Sequence, residues 1–200
     1  MQRYNYKFYG ISRLCVMPTR LNSTIMTKFF LGIIFFFTIN STSFSQERTP
    51  DERGFLVKIG DIAPDFTMTL ADGKTVKLSN LRGKTVMLQF TASWCSVCRK
   101  EMPHIEERIW NAFRKKGLLV YAIDRDEPKS KAMMLKNQTG ISYPIGLDPD
   151  SDIFGLYAGK KEGVTRNVLI DKTGKIIFLT RLFNETEFNS LVERISEELK

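Results

Sequence analysis

The spacing of apolar and polar residues along this chain predicts an alternating series of strands and helices. Alternation over 66–70 and 75–78, on either side of Asp72-Gly73, predicts a β-hairpin. The almost continuous apolar runs at 85–91 and 118–124 are typical of strands that are covered on both faces. These two runs therefore predict the middle of a sheet.

A helix is predicted between the two central strands. Its apolar positions recur at intervals of three and four residues, with charged residues between them. These positions are Met102, Ile105, Ile109 and Phe113. Pro103 is expected to kink the helix because proline lacks a backbone N–H. Gly117 is expected to end it.

The remaining elements complete an α/β pattern. Helices are predicted at 128–138 and 152–158, and a second hairpin is predicted from 167–171 and 175–180. The apolar stripe within 188–199 predicts a final helix. Strands that alternate with helices, followed by a hairpin and a helix, predict a mixed sheet covered on both faces.

The first 45 residues have the composition of a secretory signal. Residues 1–45 contain five basic and no acidic residues, and 29–39 form an eleven-residue apolar block. A membrane span needs about 20 apolar residues, so this block is too short to cross a bilayer but fits a signal peptide. We therefore expect a secreted or periplasmic protein.

The end of the signal peptide is expected near Gln46. Ser43-Phe44-Ser45 supplies the small-x-small pattern that signal peptidases cleave. Met26 is an alternative start, because a complete short signal begins there, and an uncleaved N-terminal membrane anchor is an alternative to cleavage. The rest of the chain then divides into an exposed lead-in at 46–58 and a domain at 59–200.

Length and charge argue for one globular domain that does not bind nucleic acid. The chain has 200 residues, of which 42% are hydrophobic, enough for one ordinary domain. Its net charge is +8, but five of those positive charges lie in 1–45, which leaves +3 for 46–200. Such a mildly basic domain gives no reason to propose a nucleic acid partner.

The candidate chemistry lies in Trp94-Cys95-Ser96-Val97-Cys98, directly after a predicted central strand. Two cysteines separated by two residues can form a disulfide, and a helix N-terminus favours the thiolate. The pair could also be half of a zinc site, which would need about two further ligands. Only Cys15, within the predicted signal peptide, and His104 are present. A zinc site within one chain is nearly excluded, whereas an intersubunit site or two-coordinate Cu(I) stays open.

These motifs together resemble the thioredoxin fold. A strand that leads into Trp-Cys-x-x-Cys, a helix with proline five residues after the second cysteine, and a later hairpin and helix carry the resemblance. The segments 59–66 and 168–174, and the pattern Cys-x-x-Cys-x-x-Glu-x-Pro, are similar to secreted TlpA/ResA-type thiol-disulfide oxidoreductases. The resemblance covers 59–200. It implies an α/β, thioredoxin-like three-layer fold: a central mixed sheet, helices on both faces and an added N-terminal β-hairpin.

The resemblance also implies roles for the residues around the two cysteines. Cys95 would be the attacking thiolate, and Cys98 the resolving thiol that expels the partner by closing the disulfide. Trp94 would form an apolar lip that contacts the substrate; a partly buried core indole is the other interpretation, and the two are compatible.

Glu101 has two possible roles. It lies three residues after Cys98 on the same helical face, and it could be a buried carboxylate with a raised pKa that exchanges protons with Cys98. The alternative is a solvated glutamate. Thioredoxins place a buried aspartate where this chain has Gln89, which cannot titrate. If a carboxylate serves the two cysteines, Glu101 is the candidate.

The chain departs from the family pattern at Thr165. The family usually has a cis-proline at this position, facing the disulfide and the bound peptide, whereas this chain reads Gly163-Val164-Thr165-Arg166. A cis bond before threonine would cost about 2.5–4 kcal/mol, so a trans loop is expected. Both Thr165 and Arg166 would face the substrate. Arg166 could stabilise the Cys95 thiolate, as an arginine does in peroxiredoxins, or be a solvated loop residue.

The leading hypothesis is an extracytoplasmic thiol-disulfide oxidoreductase that reduces protein disulfides. The resemblance implies protein dithiols and disulfides as substrates, a membrane-bound thiol protein as electron donor, and no metal or other cofactor. The sequence leaves the oligomeric state open. The charged residues at 124–127 follow a strand and are assigned to a loop.

Two alternatives belong to other functional classes. A peroxiredoxin-like thiol peroxidase is suggested by Arg166 and Thr91, although Thr91 lies four residues before Cys95, not the three that the peroxiredoxin motif requires. A non-enzymatic copper chaperone similar to SCO proteins would need one more residue between the cysteines and a later histidine, and none follows His104.

Overall fold

Seven strands form one mixed sheet in residues 49–200, the part of the chain that this computed structural model describes. The strands are β1 (Thr67–Leu70), β2 (Thr75–Lys77), β3 (Val86–Thr91), β4 (Leu119–Arg125), β5 (Ile145–Asp148), β6 (Arg166–Ile170) and β7 (Ile176–Arg181). Their order across the sheet is β2-β1-β5-β4-β3-β6-β7. The signal peptide predicted for 1–45, its cleavage before Gln46 and the alternative start at Met26 lie outside the described residues.

The centre of the sheet is parallel and its margins are antiparallel. β3 pairs in parallel with β4, and β4 with β5, whereas the remaining pairs are antiparallel. Every residue of β3 is buried, as expected for a central strand. The predicted hairpins at β1–β2 and β6–β7 are confirmed.

The helices are α1 (Ser96–Ile105), α2 (Lys129–Thr139), α3 (Asp152–Tyr157) and α4 (Glu185–Glu198). α1 continues through Pro103 and then widens into a π-helical turn at Glu106–Trp110. Proline removes one hydrogen bond from the helical ladder, and a π-turn is one way in which a helix adjusts. Gly117 follows with a left-handed φ of 99°, which confirms it as the end of this helical region.

Helices cover both faces of the sheet, as predicted. Buried side chains of α1, α2 and α4 pack on one face, which we call the α1 face. Side chains of α3 and the short 3-10 turn at Leu78–Leu81 pack on the other. By strand alternation, Gln89 and Thr91 of β3 point to the α1 face, as does Met87 in the core.

The exposed lead-in predicted for 46–58 is wrong for its last residues. Phe55 and Val57 are buried at 2% and 4% exposure. Phe55 forms an antiparallel bridge with Ala158, and the N–H of Leu56 donates to the carbonyl of Tyr157 at 2.9 Å. These apolar side chains complete the core beside α3, so the folded region begins before the predicted boundary at Ile59.

Candidate active site

The two cysteines lie where β3 passes into α1. Cys95 is the residue that caps the N-terminus of α1, and Cys98 belongs to its first turn. They form a disulfide with a Cα–Cα distance of 5.3 Å. The backbone N–H of Cys98 donates to Sγ of Cys95 at 3.1 Å. A thiolate at this position would face the free N–H groups and the positive end of the helix dipole.

The two sulfur-bearing residues differ in accessibility. Cys95 is 7% exposed and Cys98 is 0% exposed, so only the first can be reached from solvent. Trp94 beside them is 55% exposed, which agrees with an apolar lip. Cys95 is thus the residue that an incoming disulfide would meet.

Glu101 is buried in α1, three residues after Cys98, with only 1% of its surface exposed. One carboxylate oxygen accepts a hydrogen bond from Asn167 Nδ2 at 2.7 Å, and the other accepts one from Gln89 Nε2 at 3.4 Å. The Oη–H of Tyr143 donates to Oε1 of Gln89 at 2.7 Å and so directs the amide N–H₂ of Gln89 toward Glu101. The solvated alternative for Glu101 is therefore excluded.

This environment changes the titration of Glu101. Burial raises the pKa of Glu101 from 4.5 to about 7, against the opposing effect of the hydrogen bonds from Asn167 and Gln89. Burial also raises the pKa of Tyr143, so its phenol is a proton-bearing donor at neutral pH. Glu101 can consequently both accept and return a proton near neutral pH.

Thr165 faces the disulfide from the loop before β6. Its Oγ1 lies 3.2 Å from Sγ of Cys95 and 3.3 Å from Sγ of Cys98. The residue is 2% exposed. Residues 49–200 contain no cis peptide bond, so the loop is trans at this position, as expected.

Comparisons with known proteins agree with this geometry. The AhpC/TSA family model matches residues 59–179. The thiol-disulfide oxidoreductase ResA of Bacillus thuringiensis is 36% identical over 121 residues, which are 60% of this chain and 68% of that protein. The chain therefore belongs to the AhpC/TSA family. Within it, the chain is a ResA-type thiol-disulfide oxidoreductase with a thioredoxin-like fold.

Solved structures support the same assignment for this ResA-type protein. A candidate protein disulfide isomerase from Bacteroides thetaiotaomicron has 59% identity and a TM-score of 0.71, covering 73% of this chain and 92% of that one. A candidate thiol:disulfide interchange protein DsbE from Chlorobium tepidum has 30% identity and a TM-score of 0.65, covering 72% and 99%.

The prediction that Arg166 is a solvated loop residue is wrong for the ResA-type protein. The residue is 0% exposed, so it is not a solvated loop arginine. Its guanidinium donates to the carbonyls of Gly163 and Arg53, and it lies over the rings of Phe55 and Phe154. None of these hydrogen bonds goes to Cys95. Arg166 instead joins the N-terminal segment to the Thr165 loop, a role that the sequence pattern does not reveal because the buried lead-in was assigned to solvent.

Gly54 allows this arrangement of Arg166. It has a left-handed φ of 80°, and a Cβ built on it would lie 2.5 Å from Nη2 of Arg166. Burial, together with the nearby charge of Arg181, lowers the pKa of Arg166 to about 10. Only a residue without a side chain fits beside this guanidinium.

The loop predicted for 124–127 begins later than expected, because Asp124 and Arg125 are buried in β4. Neither carboxylate oxygen of Asp124 has a hydrogen-bond partner among residues 49–200. Burial, with a smaller effect from Glu127, raises the pKa of Asp124 from 3.8 to about 8. Thr91, its register partner on β3, places its hydroxyl 3.6 Å from Sδ of Met102. Among residues 49–200, neither Thr91 nor Arg166 forms a hydrogen bond with Cys95.

Glu127 supports the turn that precedes the cysteines. Its carboxylate accepts hydrogen bonds from the backbone N–H and the hydroxyl of Ser93, both at 2.5 Å. The guanidinium of Arg99 donates to the carbonyl of Ser93. These contacts fix the backbone immediately before Trp94 from two sides.

Three further site residues escaped sequence reasoning: Asn167, Tyr143 and Glu127. Asn167 could have been noticed as a polar residue at the start of the apolar run Val168–Ile170. Tyr143 lies in a segment without a distinct pattern, and Glu127 lies in the charged run 124–127, which was predicted to be a loop. Only the tertiary fold brings them to the site. Within residues 49–200, no group of three or more potential metal ligands lies together, and no helix is long and apolar enough to cross a membrane.

Proposed function

We propose that this protein is an extracytoplasmic reductant of protein disulfides, with Cys95 as the attacking thiolate and Cys98 as the resolving thiol. The observation that carries this proposal is the contrast between the two cysteines. Cys95 caps a helix N-terminus and is the more accessible, whereas Cys98 is fully covered and lies three residues before the buried Glu101 on the same helix. An attacking group has to be reached by the substrate; a resolving group has only to reach Cys95.

The exchange proceeds in two displacements. The Cys95 thiolate attacks one sulfur of the substrate disulfide, an S–S bond forms between protein and substrate, and the second substrate sulfur leaves as a thiolate. Cys98 then loses its proton and attacks Sγ of Cys95, which releases the first substrate sulfur as a thiolate. Two electrons pass to the substrate, and the protein ends as the Cys95–Cys98 disulfide.

Glu101 is the proposed proton acceptor for Cys98. The second displacement requires deprotonation of a thiol that has no access to solvent, and Glu101 is the buried carboxylate on the next turn of the same helix. With a pKa raised to about 7, the carboxylate is basic enough to take the proton and acidic enough to return it.

The relatives and the sequence support the proposed direction of electron transfer and the proposed extracytoplasmic location. The relatives named ResA are thiol-disulfide oxidoreductases, and the segment between the cysteines, Ser96-Val97, lacks the histidine of strongly oxidising centres. The predicted signal peptide supports an extracytoplasmic address. A membrane-bound thiol protein is the proposed donor that reduces the disulfide again, and Trp94 and Thr165 are the proposed contacts to partner proteins.

The direction is tested by measuring the reduction potential of the full-length protein in glutathione buffers. A value near that of thioredoxin, about −270 mV, is expected, whereas a value near that of DsbA, about −120 mV, would overturn the reductant proposal.

The division of labour is tested with insulin as a defined disulfide substrate. Reduced Cys98→Ser should accumulate a mixed disulfide with insulin, and Cys95→Ser should accumulate none. Equal trapping by both variants would contradict the assigned roles.

The proposed extracytoplasmic location is tested by N-terminal sequencing of the exported protein, with Gln46 expected as its first residue. A purely cytoplasmic protein with an intact N-terminus would refute this location.

A further inference from the structure

The loop position that faces the disulfide carries a hydroxyl group. Oγ1 of Thr165 lies within hydrogen-bond distance of Sγ of both Cys95 and Cys98, at 3.2 and 3.3 Å. We propose that the Thr165 hydroxyl is a catalytic hydrogen-bond donor that stabilises the thiolates of Cys95 and Cys98 in turn. This inference rests on the proposed exchange reaction and assigns it one further residue.

The geometry suits a donor that alternates between two acceptors. A hydroxyl carries one hydrogen, and its position changes by rotation about the Cβ–Oγ bond alone. Since the two distances differ by only 0.1 Å, the hydrogen can be directed to either sulfur without moving the threonine. Thr165 is also 2% exposed, so few waters compete for the hydroxyl.

The backbone of Thr165 is fixed from both sides. Its carbonyl accepts a hydrogen bond from the N–H of Leu182 at 3.2 Å. The next residue, Arg166, pairs with Phe90 of β3, and its buried guanidinium donates to the carbonyls of Gly163 and Arg53. The hydroxyl is therefore held at the sulfurs by the sheet and by the N-terminal segment.

Each displacement leaves a different sulfur charged. In the disulfide form the N–H of Cys98 donates to Sγ of Cys95. In the reduced protein the Cys95 thiolate would keep this donor, and the Thr165 hydroxyl would add a second one. Once Cys95 is bonded to the substrate, its sulfur is neutral and no longer needs the donor. The thiol proton of Cys98 then passes to Glu101. The Thr165 hydroxyl rotates toward Cys98 and stabilises the attacking thiolate. A proline at this position has no such donor.

The test compares full-length variants that differ in one hydroxyl. Thr165→Val removes the hydroxyl and keeps the shape, and Thr165→Ala removes it without adding bulk near the sulfurs. Thr165→Ser retains it. Thr85→Val is the matched control, because Thr85 is equally buried and its Oγ1 has no hydrogen-bond partner among residues 49–200.

The thiolate absorbance of reduced Cys95 should titrate about one pH unit higher in Thr165→Val and Thr165→Ala, since a hydrogen bond to a charged group is lost. The equilibrium with glutathione should shift about tenfold toward the disulfide, which is about 30 mV. Thr165→Ser and Thr85→Val should match the wild type.

Other results would overturn the inference. Unchanged titration and potential in both hydroxyl-free variants would show that the hydroxyl has no catalytic role. Equal losses in Thr165→Ser would indicate that only the shape of threonine matters. In either case wild-type insulin reduction would stand. Absence of that reduction in the wild type would instead refute the proposed function.

Discussion

Two buried carboxyl groups associated with the α1 face of the sheet have different surroundings. Glu101 reaches this face from α1 and accepts hydrogen bonds from Asn167 and Gln89. Asp124 points to it from β4, in register with Thr91, and has no hydrogen-bond partner among residues 49–200. Burial raises the pKa of both, to about 7 for Glu101 and to about 8 for Asp124.

The difference shows how amide donors adjust a buried acid. Hydrogen bonds from N–H groups stabilise the carboxylate and offset part of the effect of burial. Glu101 is therefore poised near neutrality and can exchange a proton with Cys98. Asp124, without donors, favours its protonated form at the same pH. Burial without donors, beside Glu127, yields a neutral acid, whereas burial with two amide donors yields a proton carrier.

The largest expected effect is that Asp124→Asn has a higher free energy of unfolding than the wild type at alkaline pH. The folded-state pKa of Asp124 is raised, so the wild type loses stability as the pH rises from about 4 to about 8. The variant lacks this loss, so its free energy of unfolding should rise relative to that of the wild type by about 5 kcal/mol between pH 4 and pH 9. Urea denaturation across this range provides the measurement.

Asp150→Asn is the control, because Asp150 is exposed. Its unfolding free energy should run parallel to that of the wild type. A parallel curve for Asp124→Asn as well would mean that Asp124 is ionised in the folded protein.

A smaller effect is expected for Glu101→Gln. Its gain in unfolding free energy over the wild type should be about 3 kcal/mol between pH 4 and pH 9, since the folded-state pKa of Glu101 is raised to about 7. The alkylation rate of Cys98 in the reduced variant should also lose the component of its pH dependence near neutrality. Glu107→Gln changes an exposed residue of the same helical region and should alter neither property. An unchanged Cys98 profile in Glu101→Gln would remove Glu101 from the proton path.

The smallest effect is expected for Tyr143→Phe, which frees the amide of Gln89. Loss of this hydrogen bond should lower the free energy of unfolding by about 1 kcal/mol. Because the Gln89 N–H₂ is then less firmly directed at Glu101, the pKa of Glu101 should rise in a carboxyl NMR titration. Tyr157→Phe removes a comparable hydrogen bond to the carbonyl of Pro64 and should leave that titration unchanged. The same shift in both variants would mean a general loss of packing.

Much of the fold was predictable because its signals are local. The apolar runs of β3 and β4, the Asp72-Gly73 turn and the stripe of α4 each identify their element within a few residues. β5 was not predicted, since Ile145–Asp148 is short and contains a glycine and an aspartate. Its strand character comes from pairing with β1 and β4, which the local sequence does not encode.

Some residues of the candidate site were likewise predictable from local spacing, whereas others are brought together only by the tertiary fold. Cys95, Cys98 and Glu101 follow one another at intervals of three residues at the start of one helix. This spacing already predicts that they lie close together. Asn167 contacts Glu101 from 66 positions away along the chain, and only strand pairing brings it there. Arg166 was assigned to the active site because of its neighbour Thr165, but it packs against Phe55, which belongs to a segment whose burial the sequence does not reveal.

The contact between Arg166 and the carbonyl of Arg53 also has a consequence for folding. It joins residues 113 positions apart, and the nearby pair of Arg53 and Glu187 spans 134. Contacts that close such long loops carry a high entropic cost and form late. We therefore expect the Thr165 loop to reach its final place against the two cysteines only after both ends of the domain have been synthesised and joined. A nascent chain would then have reactive cysteines before it has a finished active site.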